Sequence, residues 1–476
     1  MTSAMKYYLT VDFGSTYTKV CAVDVNNKKV IGTSKAFTTI ETDVREGFDA
    51  ALKELEAQTG KLEYAEKLAC SSAGGGLKMI AVGLVPELTA KAARMAASSA
   101  GAKVTDTFSY ELSLREQEEI HKSNPDILLL CGGTDGGNKE VIIHNAKKIA
   151  EIERDFSIIY AGNKSAADEA EKILQKAGKN VIICKNVMPV FNVLDIAPAK
   201  NAIRALFIER IIEAKGLSKI QKEMSREIIP TPLAVFEGAE LFSKGYSLGC
   251  SAAEGIGDLM AVDVGGATTD VYTMCDGKPS MTDAIIKGLP EPFAKRSVEG
   301  DLGLRYNIDS LADCASYEKT ASGLNTSENT VKEWVTLCKK NPEVVSEPGS
   351  LNRKIDEYFT RHAVSIAVER HCGTFENVYT PLGEAVIISG KDLTNIPVVI
   401  GIGGPVINAE EPVKILSGAV YDPARLEYLK PAKPKFFLDK KYIFASMGLV
   451  AKVDPALALN IMKNEILQIQ ESCHEK

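Results

Sequence analysis

The feature that most constrains this chain is an internal repeat. Asp12-Phe13-Gly14-Ser15-Thr16-Tyr17-Thr18-Lys19-Val20 aligns without gaps on Asp263-Val264-Gly265-Gly266-Ala267-Thr268-Thr269-Asp270-Val271, an offset of 251 residues between positions 12 and 263. Each copy follows an apolar run and leads into another. Each therefore reads as strand, tight turn, strand, with glycine where the backbone bends and outward-facing N–H groups in the turn. A chain carrying one hairpin in each half is expected to fold as two similar lobes rather than around one core. Its 476 residues are enough for that, since a domain typically takes ~100–200.

Around the repeat, short β-branched strands alternate with amphipathic helices, the pattern of an α/β protein. Tyr7–Phe13, Thr18–Asp24 and Lys29–Ala36 read as a meander, followed by a helix over Val44–Gln58. Strand–glycine–helix units come next. Asp126–Cys131 runs through Gly132-Gly133-Thr134-Asp135-Gly136-Gly137 into a helix from Lys139, and Phe156–Tyr160 runs through Ala161-Gly162-Asn163 into one from Ser165. Asn180–Cys184 follows as a further strand. Such units build parallel sheets, so residues 77–200 are expected as an added α/β region inside an N-terminal lobe of residues 1–255. Helices are expected over Ala199–Lys215, Pro232–Lys244, Leu351–His371 and Val453–Gln470, with strands at Leu259–Val264 and Val398–Gly401. Gly255-Ile256-Gly257 marks the start of a C-terminal lobe, 256–476, whose last helix is expected to return to the first lobe.

Exposed turn N–H groups beside Ser and Thr hydroxyls form an anion-binding concavity, and a strand-end aspartate can hold hydrated Mg²⁺ or orient water. Phosphate is the natural ligand. Gly14, Ser15, Thr16 and Thr18 would bind it in the first hairpin with Lys19 neutralising charge, and Gly265, Gly266, Thr268 and Thr269 would bind it in the second. Asp12 and Asp263 are the candidate catalytic and metal-binding carboxylates. A third element, Val398-Val399-Ile400-Gly401-Ile402-Gly403-Gly404, is a buried strand ending in glycines, where a flat base can lie on the backbone of Gly401, Gly403 and Gly404.

Composition removes other classes. Lys+Arg at 56 against Asp+Glu at 63 leaves a net charge of -7, which gives no attraction to nucleic acid or anionic membranes. Ten cysteines stand singly without a C-x-x-C, the pattern of reduced thiols in a cytoplasmic protein rather than a zinc or disulfide framework. The longest apolar run, Ile396 to Ile407, is about a dozen residues and glycine-rich, too short to span a bilayer. Gly132 to Lys139 approaches a P-loop, but its lysine is displaced by one position and no Ser or Thr follows. Glu299 and Asp301 either reach metal and water or merely form a turn.

The two hairpins and the glycine-ended strand, in this order, resemble the phosphate-1, phosphate-2 and adenosine motifs of the sugar kinase, Hsp70 and actin superfamily. Within it, Asp126–Gly137, Asn186-Val187-Met188-Pro189, Ala261–Asp270 and Ser297–Gly303 resemble the MutL/GlmL family associated with coenzyme B12-dependent glutamate mutase. The resemblance implies two actin/Hsp70-like (ribonuclease H-like) lobes that bind ATP and Mg²⁺. It also implies an ATPase acting as a reactivating chaperone that releases damaged cobalamin from mutase subunits, in a cytoplasmic protein that is a possible homodimer. By the same likeness, Glu237–Glu240 would lie near the nucleotide and Phe444–Gly448 would form an interlobe connection. A small-molecule kinase of the same superfamily is the alternative. The Cys-Ala-Ala-Gly motif of related iron–sulfur activators is missing, so no cluster is expected.

Overall fold

The computed structural model of the chain describes residues 5–470 apart from 15, 40–42, 73–77, 101, 215, 250, 283, 290 and 381–382. In chain order, the strands of the first half are β1 (Tyr7–Phe13), β2 (Tyr17–Asp24), β3 (Lys29–Phe37), β4 (Tyr64–Ser71), β5 (Lys78–Gly83), β6 (Lys103–Ser109), β7 (Ile127–Leu130), β8 (Ser157–Tyr160), β9 (Asn180–Ile183) and β10 (Ile229–Pro230). The second half holds β11 (Gly245–Leu248), β12 (Ser251–Glu254), β13 (Leu259–Val264), β14 (Thr269–Met274), β15 (Ile285–Lys287), β16 (Ala294–Glu299), β17 (Thr374–Thr380), β18 (Gly383–Ser389), β19 (Val398–Ile402), β20 (Lys435–Leu438) and β21 (Leu467–Ile469).

Two sheets carry the repeat, ordered β3-β2-β1-β4-β10 and β16-β14-β13-β19-β20-β21. Both place the third, second, first, fourth and fifth strands of their set side by side, so the duplication extends from the hairpin to the whole sheet. This is the α/β, actin-like architecture that the motifs imply. In the second sheet β13, β14 and β16 form an antiparallel meander, and β19 and then β20 add parallel to β13. The Leu351–His371 helix, capped by Ser350 accepting from Arg353 N at 3.1 Å, buries Ile355, Phe359, Ala363, Val364, Ala367 and Val368 in the core beneath this sheet. That spacing puts one apolar stripe on one face of the helix.

A separate sheet, ordered β6-β5-β7-β8-β9 and parallel throughout, occupies residues 78–183. Every residue of β7 and β8 is buried, as expected of strands covered on both faces. Two small sheets, β11-β12 and β15-β18-β17, complete the described strands.

One expected element changes. Instead of a single helix over Val453–Gln470, a helix over Pro455–Glu465 gives way to β21, which pairs antiparallel with β20. Leu467 and Ile469 alternate with Gln468, and pairing satisfies the edge of β20 that would otherwise stay open.

Packing separates the chain into two compact units, one of Met1–Thr10, Cys21–Thr33 and Ala234–Lys476, the other of Val11–Val20 and Ser34–Leu233. A close helix crossing packs the first unit. A Cβ on Gly238 would lie 2.6 Å from the Phe444 carbonyl oxygen, one on Gly448 would collide with the Ala234 carbonyl, and Phe242 meets Phe444 edge-on at 5.9 Å. Glu237 pairs with Lys452 at 2.7 Å across the same crossing. No helix among the described residues is long and apolar enough to cross a membrane, and the eight described cysteines are free.

Candidate functional site

The first hairpin is closed by Gly14 N donating to Tyr17 O at 3.1 Å. A Cβ at Gly14 would sit 2.5 Å from that same oxygen, so only glycine allows the turn. Thr18 is fully buried and shares a hydrogen bond with Thr38 Oγ1 at 3.1 Å, while Thr16 and Lys19 are half-buried and Ser15 lies outside the described residues. Asp12, half-buried near the end of β1, accepts from Thr231 Oγ1 at 2.6 Å and from the Cys70 thiol at 3.5 Å. Burial, reinforced by the Asp12 charge, pushes the Cys70 pKa well up, so the thiol stays protonated and remains a donor. Thr231 is 219 residues from Asp12. In sequence it looks only like a polar residue opening a helix.

The second hairpin repeats the closure, with Gly265 N donating to Thr268 O at 2.9 Å. In both copies the glycine N–H is therefore spent on the turn instead of facing outward as the sequence suggested, because a tight hairpin needs this bond to hold its register. Thr269 is fully buried and donates to Leu302 O at 2.7 Å, so it and Thr18 anchor their hairpins from inside. Thr268 Oγ1 donates to Asp270 Oδ2 at 2.8 Å, and Arg296 holds Asp270 Oδ1 through Nε at 3.0 Å and Nη2 at 2.6 Å.

A brace absent from the sequence reading surrounds this hairpin. Leu304 N donates to Gly265 O at 3.1 Å, and Arg305 N and Tyr306 N both donate to Gly266 O at 2.9 Å. A Cβ on Gly303 would lie 2.7 Å from Gly266 O, which explains why Ser297–Gly303 ends in glycine. Arg305 is fixed in turn by Asp356 at 3.0 Å. Arg370 binds Glu299 at 2.7 Å and Asp301 at 2.7 and 2.9 Å. Burial pushes the Glu299 carboxyl upward, and Arg370 opposes that shift. These two carboxylates are thus engaged as a brace.

At the carboxyl edge of the same sheet, β13 and β19 bring the second hairpin and the glycine-ended strand together, with Asp263 opposite Ile402. Gly401 faces the core, where a Cβ would lie 2.7 Å from Val406 Cγ1 and 2.9 Å from Leu438 Cδ2. Gly403 has φ +91, and a Cβ there would strike the Val264 carbonyl and approach Asp263 Oδ1 to 2.8 Å. Gly404 follows and opens a short helix. Asp263, Gly403 and Gly404 therefore form one contiguous strip, whereas Gly401 supports it from below.

Among the described residues no three His, Cys, Asp or Glu side chains cluster as a metal cage. Mg²⁺ does not need one, because it keeps several waters and takes one or two carboxylates plus substrate phosphates. A single strand-end carboxylate per hairpin fits that demand.

Comparison with known proteins agrees with the family resemblance. The model of the MutL protein family matches residues 8–466. Protein MutL of Clostridium tetanomorphum is 45% identical over 469 residues, covering 98% of this chain and 100% of that one. Among solved structures, gluconate kinase from Lactobacillus acidophilus aligns over 98% of this chain and 93% of its own, with TM-score 0.35 and 10% identity. Xylulose kinase from Bifidobacterium adolescentis aligns over 98% and 94%, with TM-score 0.31 and 12% identity. On the match along almost its full length, the chain belongs to the MutL protein family.

Proposed function

We propose that this protein is an ATPase that reactivates an adenosylcobalamin-dependent mutase, with glutamate mutase as the first client to test. The observation that carries the reading is the hairpin repeated in two sheets of the same strand order, each copy with a strand-end aspartate. Such turns suit phosphates, and the glycine strip beside Asp263 suits a nucleoside. Mg²⁺, when bound, supplies charge neutralisation on the phosphates. Asp12, oriented by Thr231 and Cys70, and Asp263, backed by the Gly403 turn, would hold the metal's waters and the attacking water. Their contribution falls mainly in the transition state.

The client surface in this reading is the added parallel-sheet region. After β9 a tight turn closed by Val193 N to Val190 O at 2.9 Å leaves Val190, Phe191 and Val193 59%, 65% and 52% exposed. Three apolar side chains on one turn are the kind of patch a protein partner covers. ATP turnover would change affinity for the client through a coupling of typically ~1–3 kcal/mol.

The test mixes inactivated mutase, this protein, Mg-ATP and adenosylcobalamin. Activity should return, a non-hydrolysable analogue should fail to sustain repeated rounds, and Asp263→Asn should fail to restore activity. Phe191→Asp should keep basal hydrolysis while losing stimulation by the client. Transfer of the γ-phosphate to a small alcohol or carboxylate, with no cobalamin exchange, would move the protein to the kinases.

A further inference from the structure

The strip that begins at Asp263 and continues through Gly403 and Gly404 has a further member that neither motif nor spacing announces. A Cβ on Gly404 would lie 3.0 Å from the hydroxyl of Tyr442, so this phenol stands against the bare face of Gly404. Three parallel strands arrange the row. β13 ends at Asp263-Val264, β19 runs into Gly403-Gly404, and β20 leads through Asp439 to Tyr442, with Asp439 N bonded to Gly401 O at 3.1 Å. Ligands of open α/β sheets collect at this edge.

The backbone of Tyr442 is left-handed, at φ 54 and ψ 43. A non-glycine residue there is strained, and glycine or asparagine would relieve it. A half-buried tyrosine kept in this conformation points to a task for its side chain. The chemistry next to it excludes phosphate. The Ile443–Ala451 helix that follows is already capped by Asp439, whose carboxylate accepts from Ile443 N at 2.9 Å and Phe444 N at 3.0 Å, so that helix end offers a buried negative charge instead of free donors. The phosphate end of the strip is the hairpin at Asp263. Tyr442 stands at the opposite end.

We propose that Tyr442 is the specificity-determining side chain for the nucleoside: its hydroxyl bonds a purine nucleoside laid along Gly403-Gly404, and its ring walls the base. This rests on the nucleotide reading above. The experiment measures binding of ADP and of inorganic tripolyphosphate to the full-length protein and two variants. Tyr442→Phe should weaken ADP about 3- to 10-fold, the range of one hydrogen bond. Tyr442→Asn should weaken it about 10- to 100-fold, since the aromatic contact goes too. Tripolyphosphate affinity should stay within about twofold in both. Because asparagine tolerates the left-handed backbone, the melting temperature of Tyr442→Asn should hold or rise, which separates loss of a contact from loss of the fold. The proposal is overturned if Tyr442→Asn binds ADP like the parent, or loses ADP and tripolyphosphate in equal measure. A parent protein that binds neither would instead sink the nucleotide reading, and this inference with it.

Discussion

Where the first hairpin carries Lys19, the second carries Asp270 at the matching position, and the rest of the two sites diverges accordingly. Asp270 is neutralised within the fold by Arg296, whose side chain is 4% exposed, and its hairpin is braced by Leu304–Tyr306 through bonds to Gly265 and Gly266. At the first hairpin the polar support falls on the carboxylate itself, through Thr231 and Cys70 on Asp12. One turn is thus repeated in two settings: the first copy carries a lysine and an aspartate held by two side chains, and the second is internally neutralised and braced beside Gly403-Gly404. A duplicated motif need not mean a duplicated role.

The largest expected effect is on turnover. Asp263→Asn and Asp12→Asn should each lower ATP hydrolysis by about 100-fold, ~2.7 kcal/mol of transition-state stabilisation, while calorimetric affinity for Mg-ATP moves by less than about threefold, as an effect confined to the transition state requires. Unchanged turnover in either would remove that aspartate from the chemistry.

Gly403→Ala comes next, and it concerns the second hairpin alone. The added Cβ collides with the Val264 carbonyl at a φ of +91, so chemical denaturation should register a loss of about 1–3 kcal/mol. Gly136, also at positive φ but with nothing within 4 Å of its Cβ, is the control, where alanine should cost about 1 kcal/mol. Equal losses at both would mean that the contact with the second hairpin carries no weight.

Thr231→Val tests the first hairpin. Removing the hydroxyl that donates to Asp12 at 2.6 Å should slow turnover about 10-fold, the worth of one charge-assisted bond, and Thr231→Ser should restore it. If valine and serine behave alike, Asp12 is aimed by something else.

The smallest effect is a pH dependence confined to the second sheet. His371 is buried beneath it, with Nε2 2.9 Å from Thr273 Oγ1 and Nδ1 2.8 Å from Ser297 Oγ. Burial pushes its pKa well below the usual 6.5, with Lys295 and Lys391 acting in the same direction. The folded protein therefore keeps it neutral while the unfolded chain takes up a proton. Stability should be flat above pH 6.5 and fall below it by at most about 1.4 kcal/mol per pH unit, the slope of one proton. His371→Gln should flatten that limb in denaturation midpoints taken from pH 7.5 down to 5.5.

Much of this was legible in the residues. β1, β13 and the Leu351–His371 helix match their sequence reading to the residue, because an apolar run ended by Asp-x-Gly or a long stripe capped by Ser350 leaves few alternatives. The hairpins and the glycine strip were legible because backbone chemistry dictates glycine there. Thr231, Cys70, Tyr442 and the Gly303 brace were not. Each acts through a contact across tens to hundreds of residues, and a lone Thr, Cys or Tyr carries no local periodicity that announces its partner. The residues of β21 read as helix in the sequence because three residues are too short for a period, and only the open edge of β20 decides their conformation.

The central claim is that the two hairpins are phosphate-binding turns, and the direct test is a calorimetric titration of the full-length protein with Mg-ATP. The account predicts that Mg-ATP binds, and that Lys19→Met in the first hairpin and Gly404→Val beside the second each weaken binding by about 10-fold. No binding of Mg-ATP, or an affinity unchanged in both variants, would contradict it.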